Sequence, residues 1–272
     1  MADIGKCNHS SAAGQRGLSG CWLKMIAVIT MFIDHAAATI LERLLMQMPA
    51  WGPITQQNYQ GWYILYTVLR TIGRMAFPIY CFLLVEGFYH TRNRAKYAFR
   101  LFLFALISEV PFDMAFNQGF FDMSYNNVFL TLLIGLVTIW CSDMVIRRTE
   151  TENFSKGKKA GMIVLRVIML AIVLITGSVV AEILHTDYGA CGVIAIFIMY
   201  MLYHRRMLGF ALMVLELGLL GGIIEWAAIL MLIPMHFYNG TRGKQIKYFF
   251  YVFYPVHLLI LSLICWIMGL GI

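Results

Sequence analysis

The stretch ITMFIDHAAATI, residues 29–40, sets Asp34 and His35 side by side in an otherwise apolar run. Farther along, Arg70 and Arg74 are four apart in LRTIGR, and Glu109 and Asp113 are four apart in SEVPFD. At helical spacing each of these pairs shares a face. An imidazole near carboxylates and guanidinium groups in apolar surroundings is equipment for proton transfer and for stabilising developing negative charge. The same groups can also only lock helices together, or carry protons along a pathway. Asp34 and His35 are adjacent, so on a helix they point about 100° apart. Asp34 is therefore expected to meet an arginine and His35 to face a cavity. The two-arginine face of Arg70 and Arg74 is expected to match the two-carboxylate face of Glu109 and Asp113.

Other candidates carry weaker signals. Glu86, in LLVEGFYH, lies near one end of an apolar run and is positioned for either a soluble ligand or an interfacial role. Arg92, Arg94 and Lys96, in RNRAK, suit the phosphates of an anionic cofactor, although a plain basic loop reads the same way. HTDYGACG, residues 185–192, reads as a turn with Asp187 and Tyr188 at a cavity mouth. In FYPVH, Pro255 would kink a helix and turn Tyr254 and His257 inward. Glu216 and Glu225 read as structural. There is no Walker motif, dinucleotide glycine fingerprint, HExxH or serine nucleophile elbow. The seven histidines do not cluster at ligand spacing, so no metal is expected.

The elements that position these groups follow from composition. Of 272 residues, 60% are hydrophobic and 13% charged. Soluble domains carry about 25% charged residues. Several apolar runs reach the roughly 20 residues that a helix needs to cross a bilayer. Backbone groups in lipid must be satisfied internally, which leaves helices, since the runs lack barrel alternation. The expectation is an all-α polytopic membrane protein. Spans fall at about 22–44, 70–89, 97–116, 126–146, 162–184, 189–203, 207–220, 224–238 and 248–270. That makes nine, with eight to ten allowed by the short later runs. Residues 1–19 read as a flexible cytoplasmic tail and 20–272 as a single transmembrane domain, with 149–160 the only linker-like stretch. The six cysteines are scattered and read as small core hydrophobes.

The net charge of +7 reflects basic loops between spans and not a nucleic-acid partner. HTRNRAKYAFR (90–100), RRTETENFSKGKK (147–159), HRR (204–206) and RGKQIK (242–247) alternate with loops 45–61 and 117–125, which contain no Lys or Arg. The positive-inside rule then puts the N-terminus in the cytoplasm of a multi-pass cell (inner) membrane protein and, with nine spans, the C-terminus outside. At about 1.5 Å per residue, Asp34 and His35 lie roughly 18–20 Å from the cytoplasmic end near Trp22. Arg74 and Asp113 lie at about 24 Å, Glu109 at about 18 Å and His257 at about 15 Å, with Arg70 near the outer boundary. Charges from three spans thus converge on one level.

LKMIAVITMFIDHAAATI, RTIGRMAFPIYCFLLVEGFYHTRNRAKYAFRLFLFALISEVPFD, NVFLTLLIGL, DYGACGV and FYPVHLLIL together resemble the TraX family, from about residue 23 to the C-terminus. The family is named for the acetylase that modifies the N-terminus of F pilin. The resemblance implies an acyltransferase that takes acetyl from acetyl-CoA, its co-substrate, and gives it to an amine or hydroxyl of a cell-envelope acceptor: a peptide N-terminus, a glycan or a lipid head group. On that expectation His35 is the general base, Arg74 or another buried donor holds the oxyanion, and Asp34, Glu109 and Asp113 hold the arginines. Arg70, Glu109, Asp113, Tyr188, Tyr254 and His257 then face the acceptor, and Arg92, Arg94, Lys96 and Glu86 the donor. The rival class is a proton-coupled transporter built on Asp34, Arg74, Glu109 and Asp113. The absence of inverted repeats counts against it. The acceptor, the choice of N- or O-acetylation and the oligomeric state are not written in the sequence.

Overall fold

The computed structural model describes residues 17–150, 156–244 and 247–271; the expected tail falls outside these except for its last three residues, as does part of the stretch 149–160. Among the described residues the chain is helical throughout, with no named strand. Helix α1 (Gly20–Ala36) runs through a π turn (Ala37–Leu41) into α2 (Glu42–Gln47). Then come α3 (Tyr59–Gly73), α4 (Ala76–His90) and α5 (Arg94–Phe112), the last ending in a second π turn (Asp113–Asn117). Helices α6 (Val128–Arg148), α7 (Lys156–Ile183), α8 (Gly189–Met201) and α9 (Arg206–Leu220) come next. A 3-10 segment (Ile223–Met231) leads to the short α10 (Leu232–His236), and α11 (Lys247–Ile267) closes the chain.

Among the described residues five helices are long and apolar enough to cross a membrane: Gly20–Gln47, Tyr59–His90, Val128–Arg148, Lys159–Ile183 and Phe249–Ile267. Helices α8 and α9 add a sixth only if the pair, bent by 84°, is one broken span. Among those residues the expected count of nine is therefore not confirmed. The run at 97–116 forms α5, but Arg94, Lys96, Arg100 and Glu109 interrupt its apolar character. The run at 224–238 is a 3-10 segment plus one short helix rather than a span. The second span begins at Tyr59 rather than residue 70, because the aromatic segment YQGWYILYTVLR is itself helical. Arg70 and Arg74 consequently lie near the middle of the span Tyr59–His90, Arg70 within α3 and Arg74 at the break before α4, and Arg70 is not at the span's outer end.

Burial is distributed as expected for a protein dissolved in lipid. Only 11% of the most apolar window of α7 is buried, and Val164, Val167, Ile172, Ile175 and Ile183 point outward. The interior mixes large apolar side chains such as Phe82, Phe88, Phe112 and Phe210 with Asp34, Arg43, Asp113, Asn127, Glu225 and His257. In lipid, polar side chains gain nothing by facing outward and are stabilised by partners inside the bundle.

The basic stretches around His90 and Arg242 meet at one end of the bundle, beside the start of α1. The amide of Gly20 donates to the Thr241 carbonyl at 2.7 Å, and Arg242 donates to the His90 carbonyl at 3.2 Å. Leu18 bridges the 237–239 segment through its amide and carbonyl. At the opposite end of the first span, Gln47 donates to the Leu270 carbonyl and Arg43 to the Gly271 carbonyl. The buried Arg43 also donates to the Met114 and Ala115 carbonyls at 3.0 and 2.8 Å. It ties the first span, the second π turn and the C-terminal turn together.

Candidate functional site

Asp34 and His35 do point in different directions. Asp34 is 5% exposed, and its Oδ2 accepts from Arg70 Nη1 and from Arg74 Nη2, both at 2.7 Å. This contact depends on Gly73, which sits between the two arginines in the sequence. A Cβ built there would lie 2.1 Å from the Asp34 Cβ. The absence of a side chain at 73 lets α1 and α3 approach closely enough for two guanidinium groups to converge on one oxygen. The other carboxylate oxygen, Oδ1, is buried with no partner among the described residues.

Arg74 extends the network. Its Nη1 lies 3.3 Å from Glu225 Oε1 and 3.4 Å from the Tyr188 hydroxyl. Tyr188 stacks on Phe77 with ring centroids 3.7 Å apart. Glu225 is 3% exposed, and among the described residues neither its Oε2 nor Arg74 Nε has a partner. Nearby, the Tyr125 hydroxyl donates to Asp187 Oδ1 at 2.8 Å. Burial pushes the carboxyl of Asp187, which lies in the turn after α7, above the usual carboxylate range, against the opposite pull of that hydrogen bond.

The match expected between the arginines and the pair Glu109/Asp113 does not occur. Glu109 accepts from the Asn127 side-chain amide instead, leaving its Oε1 buried with no partner among the described residues. Asp113 accepts from the Asn117 amide at 2.8 Å and from the Asp122 backbone N–H at 2.9 Å. It organises the π turn and the loop after it. The arginines take their carboxylates from α1 and from the 3-10 segment instead. Glu225 is legible as an acid in an apolar run but reads as structural, because 3-10 geometry carries no 3.6-residue face to reveal its direction.

His35 belongs to a second group, built of aromatic and imidazole rings. Its Nδ1 is 2.7 Å from His257 Nε2, and His257 Nδ1 is 2.7 Å from the Phe253 carbonyl one turn back on α11. The two imidazoles are parallel within 6°. Phe116 and Tyr254 approach the His35 ring edge-on at 5.3 and 5.8 Å, and Phe32 and Phe253 flank His257. The Tyr254 hydroxyl is buried with no partner among the described residues. Among those residues His35 Nε2 has no hydrogen-bond partner either. The first π turn begins two residues after His35, and Thr39 within it donates to the His35 carbonyl at 2.7 Å. Such wide turns recur at functional sites.

Two open apolar grooves of about 460 and 430 Å³ lie elsewhere, the first beside Glu216 between α8 and α9, the second between Met114 and Leu263. Neither is lined by Asp34, His35 or Arg74. At the basic end, Arg94 is not free. It donates to Asp143 at 2.5 Å and lies 4.0 Å over the Phe88 ring. Glu86 accepts from the Tyr238 hydroxyl at 2.6 Å, whereas Arg92 and Lys96 are exposed. Among the described residues there is no group of three or more His, Cys, Asp or Glu that could hold a metal ion.

The whole helical core that carries these groups, residues 19–265, matches the family model described as TraX protein. The chain belongs to the TraX family. A curated relative is the "Probable fimbrial assembly protein FimC, serogroup H1" of Dichelobacter nodosus. It is 29% identical over 264 residues, which cover 88% of this chain and 92% of the relative. No solved structure matches. His35, His257 and every residue of the Asp34–Arg70–Arg74–Glu225 network lie inside the matched region.

Proposed function

We propose that this TraX protein is a membrane-embedded acetyltransferase that uses cytosolic acetyl-CoA to acetylate an amine or hydroxyl on a cell-envelope component. The observation that carries the proposal is the His35 ring: an imidazole in an aromatic sleeve, one residue from a buried charge network, with Nε2 unclaimed by any partner among the described residues. Family membership supports the reaction class, since TraX is associated with pilin acetylation. The relative's name supports an envelope setting.

In this reading the basic end faces the cytosol, consistent with the positive-inside rule. Arg92 and Lys96 are the cations available to donor phosphates, because Arg94 is held by Asp143. His35 Nε2 removes the proton from the attacking nitrogen or oxygen as the bond to the acetyl carbon forms. It returns that proton to the sulfur as the C–S bond breaks. Arg74 has an unspent Nε–H and would meet the charge developing on the acetyl oxygen, where the low dielectric strengthens the contact. Asp34 holds both arginines in place and takes no part in proton transfer.

A second reading rests on the unpartnered lone pairs of Asp34 Oδ1 and Glu225 Oε2 on either side of Arg74, which suit a proton pathway. One experiment separates the two. The purified protein in nanodiscs is given radiolabelled acetyl-CoA and a crude envelope fraction. Label transfer that is abolished in His35→Ala supports the transferase. Absence of any acetyl-CoA binding, with proton flux in liposomes, would replace it with the transporter.

A further inference from the structure

We infer that His257 is a positioning residue that fixes the tautomer of His35, so that the base lone pair is on Nε2. The inference rests on His35 being the base. A carbonyl oxygen has no hydrogen, so the contact between His257 Nδ1 and the Phe253 carbonyl requires a proton on that nitrogen. A neutral His257 then has a bare Nε2, which can only accept. The group 2.7 Å away is His35 Nδ1, and it must therefore carry its proton. A neutral His35 with its proton on Nδ1 has its lone pair on Nε2, the nitrogen without a partner among the described residues. The order of protons along Phe253, His257 and His35 is thus fixed from a single backbone oxygen.

The relay also explains why Asp34 is not needed for this task. Once His35 Nε2 has taken a proton, the imidazolium donates through Nδ1 to the His257 lone pair in a charge-assisted hydrogen bond, which is stronger than the neutral one it replaces. Orientation is shared between that bond and the rings of Phe116 and Tyr254 against His35, with Phe253 stacked on His257 at 4.8 Å. An acceptor-binding role for His257 is disfavoured, because both of its nitrogens are already used.

The test is nitrogen NMR of the full-length protein in nanodiscs with 15N-labelled histidine, the His35 signals being assigned by their loss in His35→Gln. The wild-type spectrum is expected to show a protonated Nδ1 and a bare Nε2 on His35. His257→Gln keeps an acceptor atom at the Nε2 position and should preserve that pattern. His257→Phe keeps a ring in the aromatic sleeve but offers no acceptor, and should give a mixture of tautomers. Acetyl transfer should fall about a hundredfold in kcat for His257→Phe, with KM for the donor unchanged, and be largely rescued in His257→Gln. A proton on Nε2 of His35 in the wild type, or an unaltered His35 pattern in His257→Phe, would overturn the inference. The expected spectra in a protein that transfers no acetyl would support the positioning and overturn the transferase reading instead.

Discussion

Asp34 and His35 are chain neighbours, yet their surroundings are opposites. Asp34 faces fixed charge: two arginines on one oxygen, with Glu225 and Tyr188 beyond. His35 faces a second imidazole and aromatic rings. A buried ion pair has a deep minimum for one arrangement, and removing one partner leaves an uncompensated charge. A neutral imidazole pair holds its geometry while a proton moves. The first suits a frame and the second suits chemistry, so one turn of helix serves both by directing adjacent residues to different partners.

The division is open to experiment. The largest effect is expected for His35→Ala, which should reduce acetyl transfer about 10²- to 10⁴-fold, the usual contribution of a general base. Its thermal melting in detergent should stay close to wild type. A collapse of folding instead would place His35 with the frame. Asp34→Ala should do the reverse, costing about 3–5 kcal/mol by stranding two arginines. Thermal melting or expression yield would show this before any assay of activity does.

Gly73→Ala should come next, costing about 1–3 kcal/mol, because the added methyl forces α3 away from Asp34. An unshifted melt would show that the close approach of the two helices is not needed. The smallest effects are expected at the basic end, where a pair of cations with no ion-pair partner among the described residues stands beside a held one. Arg92→Ala combined with Lys96→Ala should raise KM for acetyl-CoA several-fold without changing stability. Arg94→Ala should lower stability by about 1 kcal/mol, since it removes one of the two arginines paired with Asp143 among the described residues.

Much of this can be read from the sequence, and the remainder fails for identifiable reasons. Apolar run length, and with it an all-helical fold, follows from composition alone. The separation of Asp34 from His35 follows from 100° per residue, and so does an arginine partner for Asp34. Which arginine face meets which carboxylate depends on how separate helices are rotated against one another, and no spacing within a helix encodes that. Spacing therefore assigns Glu109 and Asp113 to the arginines, when Asn127 and Asn117 take them. Arg94 illustrates the same gap, since its partner Asp143 is 49 residues away. The span count fails where aromatic and charged residues blur the edges of apolar runs, at Tyr59 and along α5. Arg43 escapes notice because an arginine near a helix end reads as interfacial, and its carbonyl partners leave no trace in side-chain patterns.

The π turn at Ala37–Leu41 governs how this helix tolerates change. A wide turn accommodates one residue more than an α turn, so the surplus is absorbed where it arises and does not rotate the helix beyond it. The segment carrying Asp34 and His35 and the segment carrying Arg43 can each be aimed independently, one at the arginines and imidazole, the other at the C-terminal turn. A chain shortened by one alanine within 36–38 would close to a regular α-helix with both segments still facing their partners. Lengthening or shortening the helix anywhere below His35 would have no such reserve, and the polar centre would turn away from its partners as a unit.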